Sequence, residues 1–212
     1  MRSYGSVTNA VIPYKKVDAI FRPIAAINPA KLEVQVFVAS TNKAVQAADI
    51  RMTIQSAAKG MIRLQVATNG QILNFPLQEE LLRENPAIIV NQPKGTVHLN
   101  VSMQIPMPDG LNFPYQRLGD GVAEMNKTVK AEAGWALALL VPKVEGVAFY
   151  FPIADAGKAA VEIESAKGKQ KYTADTNGVV KLKLDKGLLA ENPEVKLSEK
   201  PRLIEPDMSV FN

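Results

Sequence analysis

The chain has 212 residues, no cysteine and one histidine, and its 25 Lys/Arg against 21 Asp/Glu leave a net charge of +4. The lack of cysteine excludes disulfides, thiolate metal sites and a cysteine nucleophile together. A hydrophobic content of 47% and a charged content of 22% are ordinary for a globular chain. Residues 1–107 hold 11 Lys/Arg and 6 Asp/Glu, so the positive charge sits in the first half. It is not the clustered stripe of a nucleic-acid surface, and no nucleic-acid partner is expected.

In chain order, Met1-Arg2-Ser3-Tyr4-Gly5 has no apolar core of a signal peptide. After Pro13-Tyr14 comes a stretch read as a short helix, which Pro23 should end. Leu32, Val34, Val36 and Val38 then alternate with polar Glu33 and Gln35, the period of a half-buried strand. Ile50, Met52 and Ile54 alternate likewise, Lys59-Gly60 turns the chain into Ile62 to Val66, and Asn69-Gly70 turns it again into Ile72. Asn-Gly between alternating runs is a strong hairpin signal, so a three-stranded meander is expected. Further strands are expected at Ala87 to Val90 and Thr96 to Met103.

The second half repeats the first. Thr68-Asn69-Gly70 answers Thr176-Asn177-Gly178, and Leu81-Leu82-x-Glu84-Asn85-Pro86 answers Leu188-Leu189-x-Glu191-Asn192-Pro193. Pro13-Tyr14 answers Pro114-Tyr115, and Ser56-Ala57-Ala58-Lys59-Gly60 answers Ser165-Ala166-Lys167-Gly168. Such ordered matches mark an internal repeat. The expected architecture is mainly β: a tandem duplication of a small antiparallel β-sandwich or sheet unit with one short helix per repeat. The domains are 1–107 and 108–212, joined by Pro106-Met107-Pro108-Asp109-Gly110. The second helix carries Leu118, Val122, Met125 and Val129 at helical spacing, softened by Gly119 and Gly121. Strands Val161 to Ser165, Gln170 to Ala174, Val180 to Leu184 and Glu194 to Leu197 follow.

Trp135 to Val141 and Val147 to Phe151 are apolar throughout and are read as a hairpin covered on both faces. Trp135, Leu137, Leu139, Phe149 and Phe151 are its candidate interface anchors. The cover is the first domain, the helix of its own domain, or a second chain in a homodimer. Neither run approaches the ~18 residues of a membrane span.

Sites of chemistry are sparse. His98 lies on the polar face of its strand with no second histidine to share a metal. Asp175-Thr176-Asn177-Gly178 resembles the start of a calcium loop but lacks the closing glutamate, and the turn is what the repeats share. Glu84 and Glu191 could pair as catalytic carboxylates only across the repeats; a helical turn ended before proline is the plainer reading. Lys169, Lys171, Lys181 and Lys183 read as a solvated, ion-paired sheet face with Glu162 and Glu164. No phosphate loop or nucleophile elbow is present, so no cofactor, metal or catalytic residue is assigned.

Phe75-Pro76-Leu77, Leu82-Arg83-Glu84-Asn85-Pro86 and Val101-Ser102-Met103-Gln104-Ile105 together resemble a family of exported proteins of Gram-negative bacteria catalogued as a domain of unknown function. The resemblance implies a periplasmic location, reached with a leader absent from this sequence, and no known activity; the cytoplasm is the alternative. The expected function is a non-enzymatic binding or structural module of the cell envelope whose partner is a protein or an envelope polymer. The alternative is a hydrolase-like enzyme with carboxylates in the inter-domain cleft.

Overall fold

Alternation of apolar and polar side chains decides most of the sheets. In the strand Met52–Ser56, Met52, Ile54 and Ser56 are buried while Thr53 and Gln55 face outward; in Ala87–Pro93, Ile88, Val90 and Gln92 are buried. The structure, a computed structural model, describes the backbone of residues 8–137 and 143–207 and the side chains of 8–130 and 143–207.

The chain divides into two compact units, one of Met1–Ala26 with Val34–Ser102 and one of Ile27–Glu33 with Met103–Asn212. The division leaves 27–33 and 103–107 with the second unit, whereas the sequence places the boundary at 107/108.

The first unit carries β1 (Asn9–Pro13), α1 (Tyr14–Ile24), β2 (Glu33–Ser40), β3 (Met52–Ser56), β4 (Gly60–Arg63), α2 (Glu79–Glu84), β5 (Ala87–Pro93) and β6 (Val97–Gln104). Its main sheet runs β1-β5-β3-β4, and β2 pairs with β6. On the side of β2 away from β6, Phe37 bridges Gln71. Tyr14 and Val17 of α1 join Met52, Ile54, Ile88 and Val90 in the core. Pro23 stands in the last turn of α1, which ends at Ile24 as expected.

The second unit carries β7 (Asn112–Pro114), α3 (Gln116–Leu137), β8 (Gly146–Tyr150), β9 (Ala160–Ser165), β10 (Gly168–Thr173), β11 (Val179–Lys183), α4 (Lys186–Glu191), β12 (Glu194–Leu197) and β13 (Leu203–Asp207). Its sheets run β7-β12-β9-β10 and β11-β8-β13. The four-stranded sheets of the two units have the same strand order, but β11 has no named counterpart in the first unit, where only the Phe37–Gln71 bridge lies at that place. Tyr115, Leu118 and Val122 of α3 join Phe149, Phe151, Ile163 and Val195 in its core.

The fold is mainly β with antiparallel sheets, as the alternation implies, but three expectations change. The meander expected in each unit is not completed as a sheet in either. In the first, the segment after Asn69-Gly70 bonds to β2, with the Val38 amide donating to Gly70 O at 2.9 Å and the Ile72 amide to Val36 O at 2.8 Å. In the second, β9 and β10 make a hairpin, but β11 crosses to pair with β8, a pairing that the bond from the Phe151 amide to Gly178 O at 2.8 Å extends. Each unit has two helices rather than one, and α3 is 22 residues long. Its glycines mark close packing rather than a weak helix, since a Cβ at Gly121 would lie 2.5 Å from Ile105 Cγ1. Finally, 135–137 is the end of α3 and not a strand. An unbroken run of Trp, Ala and Leu is as good a helix as a buried strand. Leu139 and the rest of 138–141 lie outside the described residues, and among the described residues of the expected hairpin only 146–150 is a strand.

Candidate functional site

The residues that the repeats share form a clasp in each unit. The Tyr14 amide donates to Pro86 O at 2.9 Å, and the Tyr115 amide to Pro193 O at 2.9 Å. Asn85 Oδ1 accepts from the Lys15 amide at 2.9 Å and Asn192 Oδ1 from the Gln116 amide at 2.8 Å. Both asparagines end their helices in the left-handed region, φ 52° and 53°, which asparagine tolerates better than other side chains with a Cβ. The Tyr14 and Tyr115 hydroxyls accept from the amides of Gln78 and Asp185, the residues that precede α2 and α4, and Tyr14 donates onward to Pro76 O. Burial pushes both phenols up.

Glu84 and Glu191 belong to this clasp and each has a structural role within its own unit. Glu84 accepts from the Ser56 hydroxyl and the Ala57 amide, both at 2.6 Å, and Glu191 accepts from the Ala166 amide at 2.5 Å. They tie down the hairpin turns β3–β4 and β9–β10. The Ser56 hydroxyl, then the Ala57 amide, hold the Glu84 carboxyl below its ordinary range.

The other candidates fall as follows. His98 is exposed on β6. Asp175 accepts from the amides of Asn177 and Val179 at 2.8 and 2.9 Å, which makes it a turn former. Lys169 and Lys171 pair with Glu162 at 2.7 and 3.5 Å; Lys181 pairs with Asp207 at 3.5 Å and Lys183 with Glu145 at 3.6 Å, partners outside the β9–β10 hairpin. Phe149 and Phe151 are wholly buried in the core of their own unit, which leaves no ring surface to anchor a partner. Trp135 and Leu137 stand in the last turn of α3. On the other face of β8, burial raises Tyr150 and Glu205, the latter beside Asp207 on β13. Among the described residues no three His, Asp or Glu side chains gather as a metal site needs, and no helix is long and apolar enough to cross a membrane.

One concavity was not legible in the sequence. A groove of about 1200 Å³ lies in the second unit between α3, the start of β8, β10 and α4. Its floor is apolar: Val122, Val144 and Leu188 are buried, and Tyr172, Leu184 and Leu189 are half-buried. Six exposed lysines rim it, Lys127, Lys130, Lys143, Lys167, Lys183 and Lys186, against two carboxylates, Glu145 and Asp185.

Local structure holds this shape. The Asn126 side chain brackets Val144, donating to its carbonyl at 2.8 Å and accepting from its amide at 2.9 Å, which fixes the approach to β8 beside α3. Gly119 leaves room for Leu189, whose Cδ2 would lie 2.4 Å from an added Cβ. Asp185 caps α4 by accepting from the Leu188 amide at 2.9 Å, and that bond leads the effects that hold its pKa low. Glu145 faces Lys183, and Lys127 reaches Glu124 at 3.5 Å. Among the described residues, Lys130, Lys143, Lys167 and Lys186 stand in no ion pair within 4 Å. The groove thus sets an exposed, positively charged rim over an apolar floor, with its carboxylates already engaged.

Residues 14–151 match the model of a family described as "Protein of unknown function (DUF2987)". The matched stretch runs from the first residue of α1 to just past β8, so it takes in the α3 wall of the groove and stops before β10 and α4. No curated protein and no solved structure matches the chain.

Proposed function

We propose that this chain, which belongs to the DUF2987 family, is a non-enzymatic binding module of the bacterial cell envelope and that it binds through the groove of its second unit. The observation that carries the reading is the pairing of an apolar floor with a rim of six lysines. Binding sites combine apolar lining with a few polar groups that orient the ligand. Of the carboxylates with depressed pKa values, Glu84, Asp175 and Asp185 are held by amides and hydroxyls of the fold and Glu80 and Glu162 by Lys59 and Lys169, so none is poised for proton transfer. The envelope placement rests on the likeness of the 75–105 stretch to exported proteins.

Titration with 8-anilinonaphthalene-1-sulfonate, an apolar anion, tests the site. Saturable one-to-one binding is expected, and Leu184→Gln with Leu189→Gln should weaken it while the circular dichroism stays native. Native protein that binds no probe, or binds it equally after both substitutions, refutes the reading. Glu205, raised by burial beside Asp207, supports a second, hydrolytic reading. Turnover of an ester or glycoside substrate that Glu205→Gln abolishes would favour it.

A further inference from the structure

Resting on the groove reading above, we infer that the ligand is a single lipid molecule with an anionic head and an acyl tail, taken up as a monomer rather than met as a membrane surface. The first argument is complementarity. An apolar floor has nothing to offer a polyanion without a tail, and six lysines have nothing to offer a neutral hydrocarbon. One amphiphile satisfies both, and about 1200 Å³ is roomy against the ~300–1,000 Å³ of ordinary ligand sites.

The second argument comes from the other unit. At the corresponding place in the first unit, beside α1 and β4, the space is filled by the protein itself. Phe75 stacks on Phe21 with ring centres 4.7 Å apart and on Tyr14 at 5.1 Å. The concavity left there is about 510 Å³, and Arg63 is the one charged residue in its lining, against six lysines in the second unit. Tyr14 and Tyr115 hold the same position in their clasps, and seven residues on, Phe21 in α1 answers Val122 in α3. The second unit thus lacks the aromatic plug and carries a charged rim at the same place. Loss of the plug alone would leave an exposed apolar patch, a liability in water; the lysines give that patch a specific anionic guest.

The test is calorimetry on the full chain with sodium myristate below its micelle concentration. The comparison arms are tetradecanol, inorganic phosphate and phosphatidylglycerol vesicles. Myristate is expected to bind one to one, with tetradecanol at least tenfold weaker and phosphate undetected. Lys130→Glu with Lys143→Glu and Lys186→Glu should weaken myristate at least tenfold, whereas Lys43→Glu with Lys94→Glu in the first unit should not. Val122→Phe restores the plug and should abolish binding; if it does not fold, Leu184→Gln replaces it as the floor variant. Myristate no tighter than tetradecanol overturns the lipid-anion inference, and so does binding to vesicles without binding to free myristate. If the sulfonate probe still binds in either case, the groove reading stands; if neither ligand binds, both fail.

Discussion

Replacing Gly70 with alanine places a methyl carbon 2.6 Å from the Val38 carbonyl oxygen and 3.1 Å from Ala47 Cβ, at a backbone φ of +91°. Two costs add. The left-handed conformation costs a residue with a Cβ roughly 1–2 kcal/mol, partly offset by the stiffer unfolded chain, worth about 0.4–1 kcal/mol. The clash is with backbone, so the turn must shift, and overpacking of this kind costs about 1–3 kcal/mol. The shift strains the bonds from the Val38 amide to Gly70 O at 2.9 Å and from the Ile72 amide to Val36 O at 2.8 Å. A total of about 3 kcal/mol is expected by this reasoning. Gly95 separates the two costs, since its φ is +85° but nothing lies within 4 Å of an added Cβ. Gly95→Ala should cost only about 1 kcal/mol. Gly178, at φ +76° and 2.9 Å from Phe151 O, should fall between. Urea unfolding followed by circular dichroism gives the three values. If Gly70→Ala is no more destabilising than Gly95→Ala, the contact of this turn with β2 has been misread.

Asn192→Ala removes an acceptor for the Gln116 amide and places alanine at φ 53°, so thermal melts should show a loss of about 1–2 kcal/mol; Asn192→Gly keeps the backbone conformation and should lose less. Gly121→Ala should destabilise despite alanine's better helix propensity, by about 1–3 kcal/mol, because its Cβ meets Ile105 Cγ1 at 2.5 Å and Lys31 O at 3.0 Å. The Glu84 pKa is lowered in the fold, so its contribution is present above the unfolded carboxylate pKa and is lost as pH falls through the folded one. Stability measured against pH should therefore decline less on the acid side in Glu84→Gln. Glu205 is raised by burial and has the opposite sign: stability falls as pH rises from the ordinary carboxylate range through its folded pKa, and Glu205→Gln should remove that slope.

Where one face of a strand meets water, the sequence was readable: the alternating runs from Leu32 to Val38 and from Met52 to Ser56 fall on β2 (from Glu33) and β3. The Thr-Asn-Gly and Leu-Leu-x-Glu-Asn-Pro repeats were also informative, because a positive φ or a side-chain clasp admits few residue types. What failed has a physical reason in each case. Trp135 to Val141 has no polar residue to set a period, so helix and buried strand read alike. β1, β7 and β13 are short and get their pairing from strands far along the chain. The turn at Asn177-Gly178 predicts a reversal but not which strand the chain joins next, since the partner, β8, lies some thirty residues back in the chain. The groove escaped because its lysines are spread from 127 to 186 and only the fold gathers them; of the lysines singled out in the sequence, Lys183 alone lines it.

The strand that is made late goes to an interior place in its sheet. β5 lies between β1 and β3, and β12 lies between β7 and β9. While the ribosome works from Tyr14 to Pro86 at about 5–20 residues per second, roughly 4–15 s pass. Through all of that interval β1, and after Ser56 is made β3 as well, lack the neighbour that will separate and bond them both. Unpaired strands of this kind attract strands of other chains, and the second unit repeats the interval between β7 and β12. Synthesis thus opens two windows of vulnerability, each closing only when an Asn-Pro emerges and its strand slides home, and a holding chaperone would have most to do in those windows.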